Sequence, residues 1–249
     1  MNKIVQPGNS QGLATEALLQ MRHDLALAHR IIAFENMHEG TWTHLSAIIP
    51  NSNGLMLVSP GFRHFADVQP DDLVLMDGDG KVRDDTGEPN PAAWCLHYPL
   101  HTARPDAVCV IHLHSLHASA LLMQKDVCLD EQSSQVAATL YRQIAYYDVY
   151  DGVLRDADEG YRMAEILGQK SILALRNHGY MAVGASVGAA LERAYNFERA
   201  CRLQLLATAG GQTMNQIPDH IVADVAATEQ ETLGGYFKGM KAMFERQGR

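Results

Sequence analysis

The sequence predicts an α/β fold, because segments of strand character alternate with segments of helical periodicity along its 249 residues. The apolar runs before His112 and before Arg176 are rich in valine, isoleucine and leucine, which is typical of buried strands. Apolar residues recur at steps of three and four in several other segments, as in Leu18, Met21, Leu25, Ala28 and Ile32. Hydrophobic residues make up 47% of the chain, so a large core is available. No repeat or linker divides it, and we expect a single domain over residues 1–249.

The elements follow from local signals in chain order. A first helix is expected at 13–36, and Asn51-Ser52-Asn53-Gly54 is a hairpin turn between short strands at 43–50 and 55–59. Asn90 is the expected N-cap of a helix, and Ser115 that of another at 116–123. The remaining predictions are strands at 71–77, 108–113, 144–147 and 171–180, helices at 132–142, 158–167 and 187–208, and a helical tail at 218–249.

Charge and hydropathy narrow the class of protein. The net charge is −9 and no basic run occurs, which argues against nucleic acid or an anionic membrane as partner. No apolar run approaches the roughly 18 residues that span a bilayer, and Met1 to Gly12 lack the apolar region of a secretory signal. The four cysteines form no C-x-x-C pair, which favours reduced thiols. We therefore expect a cytoplasmic protein whose partner is a small molecule.

His112 and His114 are the first candidate functional residues. Side chains alternate along a strand, so both imidazoles project from one face while Leu113 turns away. Two neighbouring imidazoles can donate nitrogen to one cation, although paired histidines on strands are as often structural. A second buried strand ends at His178-Gly179, and glycine there would allow a tight turn and a close approach. If both strands end at the same end of the sheet, the imidazoles of His112, His114 and His178 come together. Three protein ligands leave one coordination position of a metal open, which is the arrangement of a catalytic metal.

His97 and His101 are spaced four residues apart on the predicted helix that follows Asn90. This spacing places both on one face, where they could chelate a metal by themselves. Alternatively, they fill a helix–sheet contact and hydrogen-bond nearby groups, which is the interpretation we favour.

Three segments in order resemble the signatures of one family. Gly40-Thr41-Trp42-Thr43-His44-Leu45-Ser46 resembles G-T-x-x-N/H-[IL]-S, and Arg104-Pro105-Asp106 through His112-Leu113-His114 resembles R-P-D…V-x-H-x-H. Arg176-Asn177-His178-Gly179 resembles [RQ]-[NH]-H-G. From about residue 15 to 210, the sequence therefore resembles the class II aldolase/adducin family, and in particular its adducin-like bacterial branch.

The resemblance implies a fold and a metal centre. The fold would be a three-layer α/β/α sandwich with a mainly antiparallel central sheet, assembled as a homotetramer with active sites between subunits. His112, His114 and His178 would bind a divalent metal, usually zinc, with manganese or iron as alternatives. In the family's aldolases the metal is a Lewis acid that stabilises the enediolate left when a carbon–carbon bond breaks.

The sequence departs from the aldolase pattern at the residues that handle protons and phosphate. Family aldolases carry P-S-S-E-W, whereas this chain reads Asn90-Pro91-Ala92-Ala93-Trp94. Ala93 stands where the glutamate would move a proton, and the serines that would bind phosphate are missing. His44 also replaces a phosphate-binding asparagine. A methyl group can neither carry a proton nor hydrogen-bond a phosphate, so we expect another acid/base and a substrate without phosphate.

Replacement residues can be named from the sequence. His44, or a water that it orients, is the candidate acid/base. Gly61, Arg63 and His64 follow a Ser-Pro turn, where the cationic side chains could pair with a substrate carboxylate. A solvated surface arginine is an equally open interpretation of Arg63.

Three functional hypotheses remain at this point. The first is a metal-dependent lyase with aldolase-type cleavage of a small, non-phosphorylated hydroxy- or keto-acid or sugar-like compound. The second is a decarboxylase or a non-haem iron oxygenase on the same scaffold. The third is a non-catalytic, adducin-like assembly module that keeps its metal for structural reasons.

Overall fold

A computed structural model describes residues 10–84, 87–150, 152 and 157–248, with side chains from residue 16 onward. The prediction that Met1 to Gly12 form no secretory signal falls mostly outside the described residues, because residues 1–9 are not among them. Among the described residues, no helix has both the length and the apolar character of a membrane span. The four cysteines form no disulfide within the described residues, and Cys128 is exposed.

Helices and strands alternate along the chain as predicted. The strands are β1 (His44–Ile48), β2 (Met56–Val58), β3 (Val74–Met76), β4 (Cys109–Leu113), β5 (Ile144–Tyr147), β6 (Ile172–Leu175) and β7 (Gly179–Gly184). The helices are α1 (Ser10–Phe34), α2 (Ala93–Ala103), α3 (Leu116–Leu122), α4 (Gln135–Ala138), α5 (Ala157–Leu167), α6 (Val187–Thr208), α7 (Asp219–Thr232) and α8 (Gly235–Arg246). Two 3₁₀ helices, Phe65–Asp67 and Pro70–Asp72, lie between β2 and β3.

The seven strands form one mixed sheet in the order β3-β2-β1-β4-β7-β6-β5. The hairpin predicted around Asn51–Gly54 is confirmed as the antiparallel pair β1–β2. Strands β5 and β6 are parallel, whereas the other neighbouring pairs are antiparallel. The expected mainly antiparallel sheet is thus corrected to a mixed one. The reason is α5, a helical crossover that returns the chain to the same end of the sheet before β6 begins.

Helices cover both faces of the sheet, which gives the three layers expected. Alternate residues of β4 separate the two cores: Cys109, Ile111 and Leu113 pack with α1, α3 and α6, whereas Val110 packs with α2 and α5. His112 follows the alternation of Val110 and therefore belongs to the α2 face. The face that carries the candidate site is thus the one covered by α2.

Three local predictions differ from the structure. The strand expected at 171–180 is two strands, β6 and β7, joined by a turn, because the short polar interruption Arg176-Asn177-His178 does not by itself reveal a reversal of direction. The helix expected at 132–142 is reduced to Gln135–Ala138, and Arg142 has a left-handed φ of 60° that no helix accommodates. The helix after Asn90 is capped at Ala92 instead, because the Asn90 side chain accepts from the Ala92 N–H in a turn before the helix.

Candidate metal centre

Sheet topology brings His112, His114 and His178 together. Strands β4 and β6 both run antiparallel to β7, so their carboxyl ends meet at one edge of the sheet. His112 lies in β4, His114 directly follows it, and His178 lies in the turn between β6 and β7. One ring nitrogen of each lies within 4.8 Å of those of the other two. The predicted convergence of three imidazoles is therefore present in the structure.

The turn that carries His178 needs both Asn177 and Gly179, for different reasons. Asn177 has the left-handed φ of 56° that reverses the chain, a conformation that asparagine tolerates. Gly179 allows close approach: a Cβ there would lie 2.3 Å from the Leu113 carbonyl oxygen and 2.8 Å from Cδ2 of His114. The close approach predicted from this glycine is correct, whereas the sharp turn belongs to the asparagine.

Hydrogen bonds fix which nitrogen is free on two of the histidines. Nδ1 of His112 donates to the carbonyl of Tyr180 at 3.1 Å, and Nδ1 of His114 donates to the Glu39 carboxylate at 2.6 Å. Because a neutral imidazole has one N–H, both Nε2 atoms carry lone pairs, and these atoms lie 2.9 Å apart. Two lone pairs at this distance repel unless a cation lies between them. The donor set therefore fits a divalent metal such as zinc or iron.

Electrostatics also favour metal binding. Burial, and then the neighbouring imidazoles of His114 and His178, lower the pKa of His112 well below its ordinary value. Burial, and then the neighbouring imidazole of His114, lower the pKa of His178 to about 4. A metal takes only unprotonated imidazole, so these two residues are ready to coordinate at neutral pH.

His44 lies directly beside this cluster. It is paired with His112 in the register of β1 and β4, and the two rings are 4.9 Å apart between centroids. Burial, with smaller effects from His114 and His178, lowers the pKa of His44 to about 3. At neutral pH its ring is uncharged, which is the state of a proton acceptor.

His97 and His101 fill the contact between α2 and the sheet. Both are buried, and both hydrogen-bond the hydroxyl of Ser46 on β1, at 2.7 and 2.8 Å. Among the described residues, the cluster suited to a metal consists of His112, His114 and His178. The interpretation of His97 and His101 as residues of a helix–sheet contact is therefore correct. The link from His97 to His44, 3.0 Å between nitrogens, was not predicted. Its signal is the alternation of His44 and Ser46 on one strand face opposite a helical pair spaced by four.

The proposed substrate-binding residues, Gly61, Arg63 and His64, form contacts with other parts of the chain. The Arg63 guanidinium forms an ion pair with Asp72 at 3.1 Å and remains 42% exposed. His64 donates from Nε2 to Nε2 of His38, because its Nδ1 accepts a backbone N–H. The backbone N–H of Gly61 donates to the carbonyl of Glu88 at 2.8 Å. Their role in binding substrate stays a prediction.

Ala93 lies at the start of α2 with no exposed surface. Its neighbours form an apolar cluster with the outer strands, composed of Met56, Val58, Val74 and Met76. A methyl group in such surroundings provides neither an acid nor a base.

Two acidic residues near the centre were not found from the sequence. Glu39 orients His114, as described above. Glu198 of α6 accepts hydrogen bonds from the backbone N–H groups of His117 and Ala118, at 3.1 and 2.8 Å. It therefore caps α3, the helix that directly follows His112 and His114 in the chain. Ser115 is the N-cap residue of α3, as predicted, but its hydroxyl does not cap the helix and donates to Glu198 at 2.5 Å. These hydrogen bonds join segments that are far apart in the chain, so no local sequence pattern predicts them.

Comparison with known proteins agrees with this site. Residues 23–205 match the family described as Class II Aldolase and Adducin N-terminal domain. The "Putative aldolase class 2 protein" of Caulobacter vibrioides is 36% identical over 203 residues, which cover 81% of this chain and 78% of that protein. Decarboxylase NovR of Streptomyces niveus is 31% identical over 228 residues, covering 90% of this chain and 80% of that protein.

A solved structure agrees over nearly the whole chain. The crystal structure of an aldolase II superfamily protein from Pseudomonas syringae has a TM-score of 0.84 and 28% sequence identity, and the match covers 98% of this chain and 96% of that one. The family match spans β1 to α6 and includes all three clustered histidines. This chain is therefore a member of the class II aldolase/adducin family.

Proposed function

We propose that the chain is a metal-dependent carbon–carbon lyase that cleaves a small, non-phosphorylated hydroxy- or keto-acid or a sugar-like compound. The observation that carries the proposal is the pair of Nε2 lone pairs, 2.9 Å apart, with the His178 ring beside them. Zinc is the expected metal, with manganese or iron as alternatives. When bound, the metal would act as a Lewis acid on the substrate carbonyl and the adjacent hydroxyl.

The side chains around the metal have separate roles in this proposal. His112, His114 and His178 hold the ion, while Glu39 fixes the tautomer and orientation of the His114 ring. Such outer partners raise the basicity of a ligand and keep it oriented. Because three protein ligands leave coordination positions open, the substrate can bind the ion directly.

His44 is the proposed acid/base. Its ring contacts that of His112, its Nδ1 is hydrogen-bonded to His97, and its Nε2 has no hydrogen bond within the described residues. A proton from the substrate hydroxyl would pass to Nε2 of His44 or to a water held by it. His44 in place of asparagine, and Pro91 and Ala92 in place of the serines, support a substrate without phosphate. Gly61, Arg63 and His64 remain the proposed contacts for a substrate carboxylate.

We also propose a cytoplasmic homotetramer with active sites between subunits. Large apolar side chains near the histidines support an interface there: Trp42, Leu116 and Tyr150 are 71%, 69% and 53% exposed. The Tyr150 ring also lies 6.0 Å from that of His178. Light scattering coupled to size-exclusion chromatography measures the assembly directly, and a monomer would contradict this part of the proposal.

A second candidate function is decarboxylation. It is supported by the similarity to a protein named as a decarboxylase over 90% of this chain. The same metal position and the same uncharged His44 suit a reaction next to a carboxylate, because both reactions leave negative charge on an oxygen next to the broken bond.

The test combines metal analysis with a substrate screen. Purified protein is analysed for metal and then assayed with hydroxy-acids, keto-acids and sugar-like compounds, each with and without phosphate, for aldehyde release, carbon dioxide release and oxygen consumption. His178→Ala should lose metal and turnover, whereas the control His220→Ala, at an exposed position, should keep both. Turnover of sugar phosphates alone would refute the substrate class. Bound iron with oxygen consumption would favour an oxygenase, and absence of turnover in metal-loaded protein would favour an assembly module.

A further inference from the structure

Four hydrogen bonds connect His44 to a backbone carbonyl through the buried contact between α2 and β1. Nδ1 of His44 lies 3.0 Å from Nε2 of His97, whose Nδ1 lies 2.7 Å from Oγ of Ser46. The same Oγ lies 2.8 Å from Nε2 of His101, whose Nδ1 lies 2.6 Å from the carbonyl oxygen of Ala107. All four side chains are at most 3% exposed, so no bulk water can substitute for a member of this chain.

The carbonyl of Ala107 sets the direction of every bond in the network. A carbonyl only accepts, so Nδ1 of His101 must carry the proton, and Nε2 of neutral His101 must accept. The Ser46 hydroxyl therefore donates to His101, and its oxygen accepts from Nδ1 of His97. It follows that Nε2 of His97 is an acceptor. His44 must then donate from Nδ1, which leaves its Nε2 without a proton.

The opposite direction requires a charge in the core. If Ser46 donated to His97, its oxygen would face Nε2 of His101, which could then bond only as a second N–H. His101 would be a buried imidazolium with no carboxylate partner among the hydrogen bonds and ion pairs of the described residues. Burial lowers the pKa of His101 to about 4, so at neutral pH this charged form is rare.

We propose that Ser46, His97 and His101 are positioning residues that hold His44 as the Nδ1–H tautomer, with Nε2 unprotonated beside the metal centre. The catalytic meaning of this inference rests on the proposed role of His44. The tautomer itself does not, because it can be measured without any substrate. Free neutral histidine favours the Nε2–H form in water, so the network would impose on His44 the other form, in which Nε2 is the proton acceptor.

The direct test is the tautomer of each histidine in the metal-loaded protein. Long-range ¹H–¹⁵N correlation spectra of ¹⁵N-histidine-labelled protein, assigned with single His→Gln variants, distinguish Nδ1–H from Nε2–H. We expect Nδ1–H for His44, His97 and His101 alike. An Nε2–H form of His44 in the wild-type chain would overturn the inference, whatever the activity of the protein.

A variant at the far end of the network gives a sharper test. His101→Phe removes the acceptor for the Ser46 hydroxyl, which then donates to Nδ1 of His97, so that both His97 and His44 should change to the Nε2–H form. Ser46→Ala should instead leave His44 as a mixture of tautomers, and Ser46→Thr should restore the wild-type form. If His44 keeps its tautomer in the phenylalanine variant, the network does not control it.

Metal content and kinetics separate this inference from the proposed function. His101→Phe leaves the three clustered histidines intact, so bound metal should be unchanged, while kcat for a substrate found in the screen falls at least tenfold with little change in KM. If the tautomers change as expected and kcat does not, the positioning network stands and the role of His44 as acid/base fails. If metal is lost as well, the effect is structural and the positioning role is refuted.

Discussion

Acid should destabilise this protein steeply, because several histidines are buried without charge. His29, His44, His97 and His101 are each at most 3% exposed. Burial is the largest cause in each case: it lowers the pKa of His29 and His101 to about 4 and that of His44 to about 3, and that of His97 well below its ordinary value. None of the four is a proposed metal ligand.

The magnitude follows from the protons that each state binds. In the unfolded chain these histidines titrate near pH 6.5. Between pH 7.5 and 5.5 the unfolded state therefore binds protons that the folded state does not bind. The stabilising contribution is fully present above about pH 7 and is lost as the pH falls through 6.5 toward 4. Between pH 7.5 and 5.5, each histidine lowers the free energy of unfolding by about 1.3 kcal/mol, and the four together lower it by about 5 kcal/mol. That is a large part of the stability of an ordinary domain, about 5–15 kcal/mol.

Urea unfolding of EDTA-treated protein at one protein concentration, followed by circular dichroism at pH 7.5, 6.5 and 5.5, measures this loss. Removing metal keeps competition between metal and protons out of the comparison, and a fixed concentration removes the effect of subunit association. In metal-free protein the lowered pKa values of His112 and His178 add a loss of the same sign, so the total loss should be at least about 5 kcal/mol. His220→Gln changes an exposed residue and should leave the pH dependence as in the wild type. A loss below about 1.3 kcal/mol, the share of one histidine, would refute the assignment of four uncharged buried rings.

Three further predictions concern the neighbourhood of the metal. Glu198→Ala should lower the free energy of unfolding by about 2–4 kcal/mol, because the N-terminal N–H groups of α3 lose a charged acceptor; an unchanged urea midpoint would contradict the capping role. Gly179→Ala should lose most of its bound metal by elemental analysis, since the added Cβ would lie 2.3 Å from a carbonyl oxygen of β4, whereas Gly239→Ala, with nothing within 4 Å, should retain it. Glu39→Gln should weaken metal binding roughly 10–100-fold in a chelator competition, because the charged partner of His114 is lost; equal affinity would show that this contact is not needed.

Much of the candidate site could be predicted because the three clustered histidines obey local rules. Strand alternation places His112 and His114 on one face, and the shared edge of two strands places His178 beside them. Glu39 and Glu198 could not be predicted, because their partners lie 75 and 83 positions away in the chain. The bend between β6 and β7 was missed because Arg176, Asn177 and His178 interrupt the apolar sequence only briefly, and burial on both faces removes the alternation that would mark two separate strands.

The turn that carries His178 has a consequence for how the chain holds together. Residues 112 and 178 are 66 positions apart, so an ion shared by them closes a long loop and acts as a reversible cross-link across the middle of the sheet. Closing such a loop removes freedom mainly from the unfolded chain. Chelation should therefore speed amide hydrogen exchange first in the segment from β6 to β7, while the hairpin of β1 and β2, which supplies no ligand, exchanges as before.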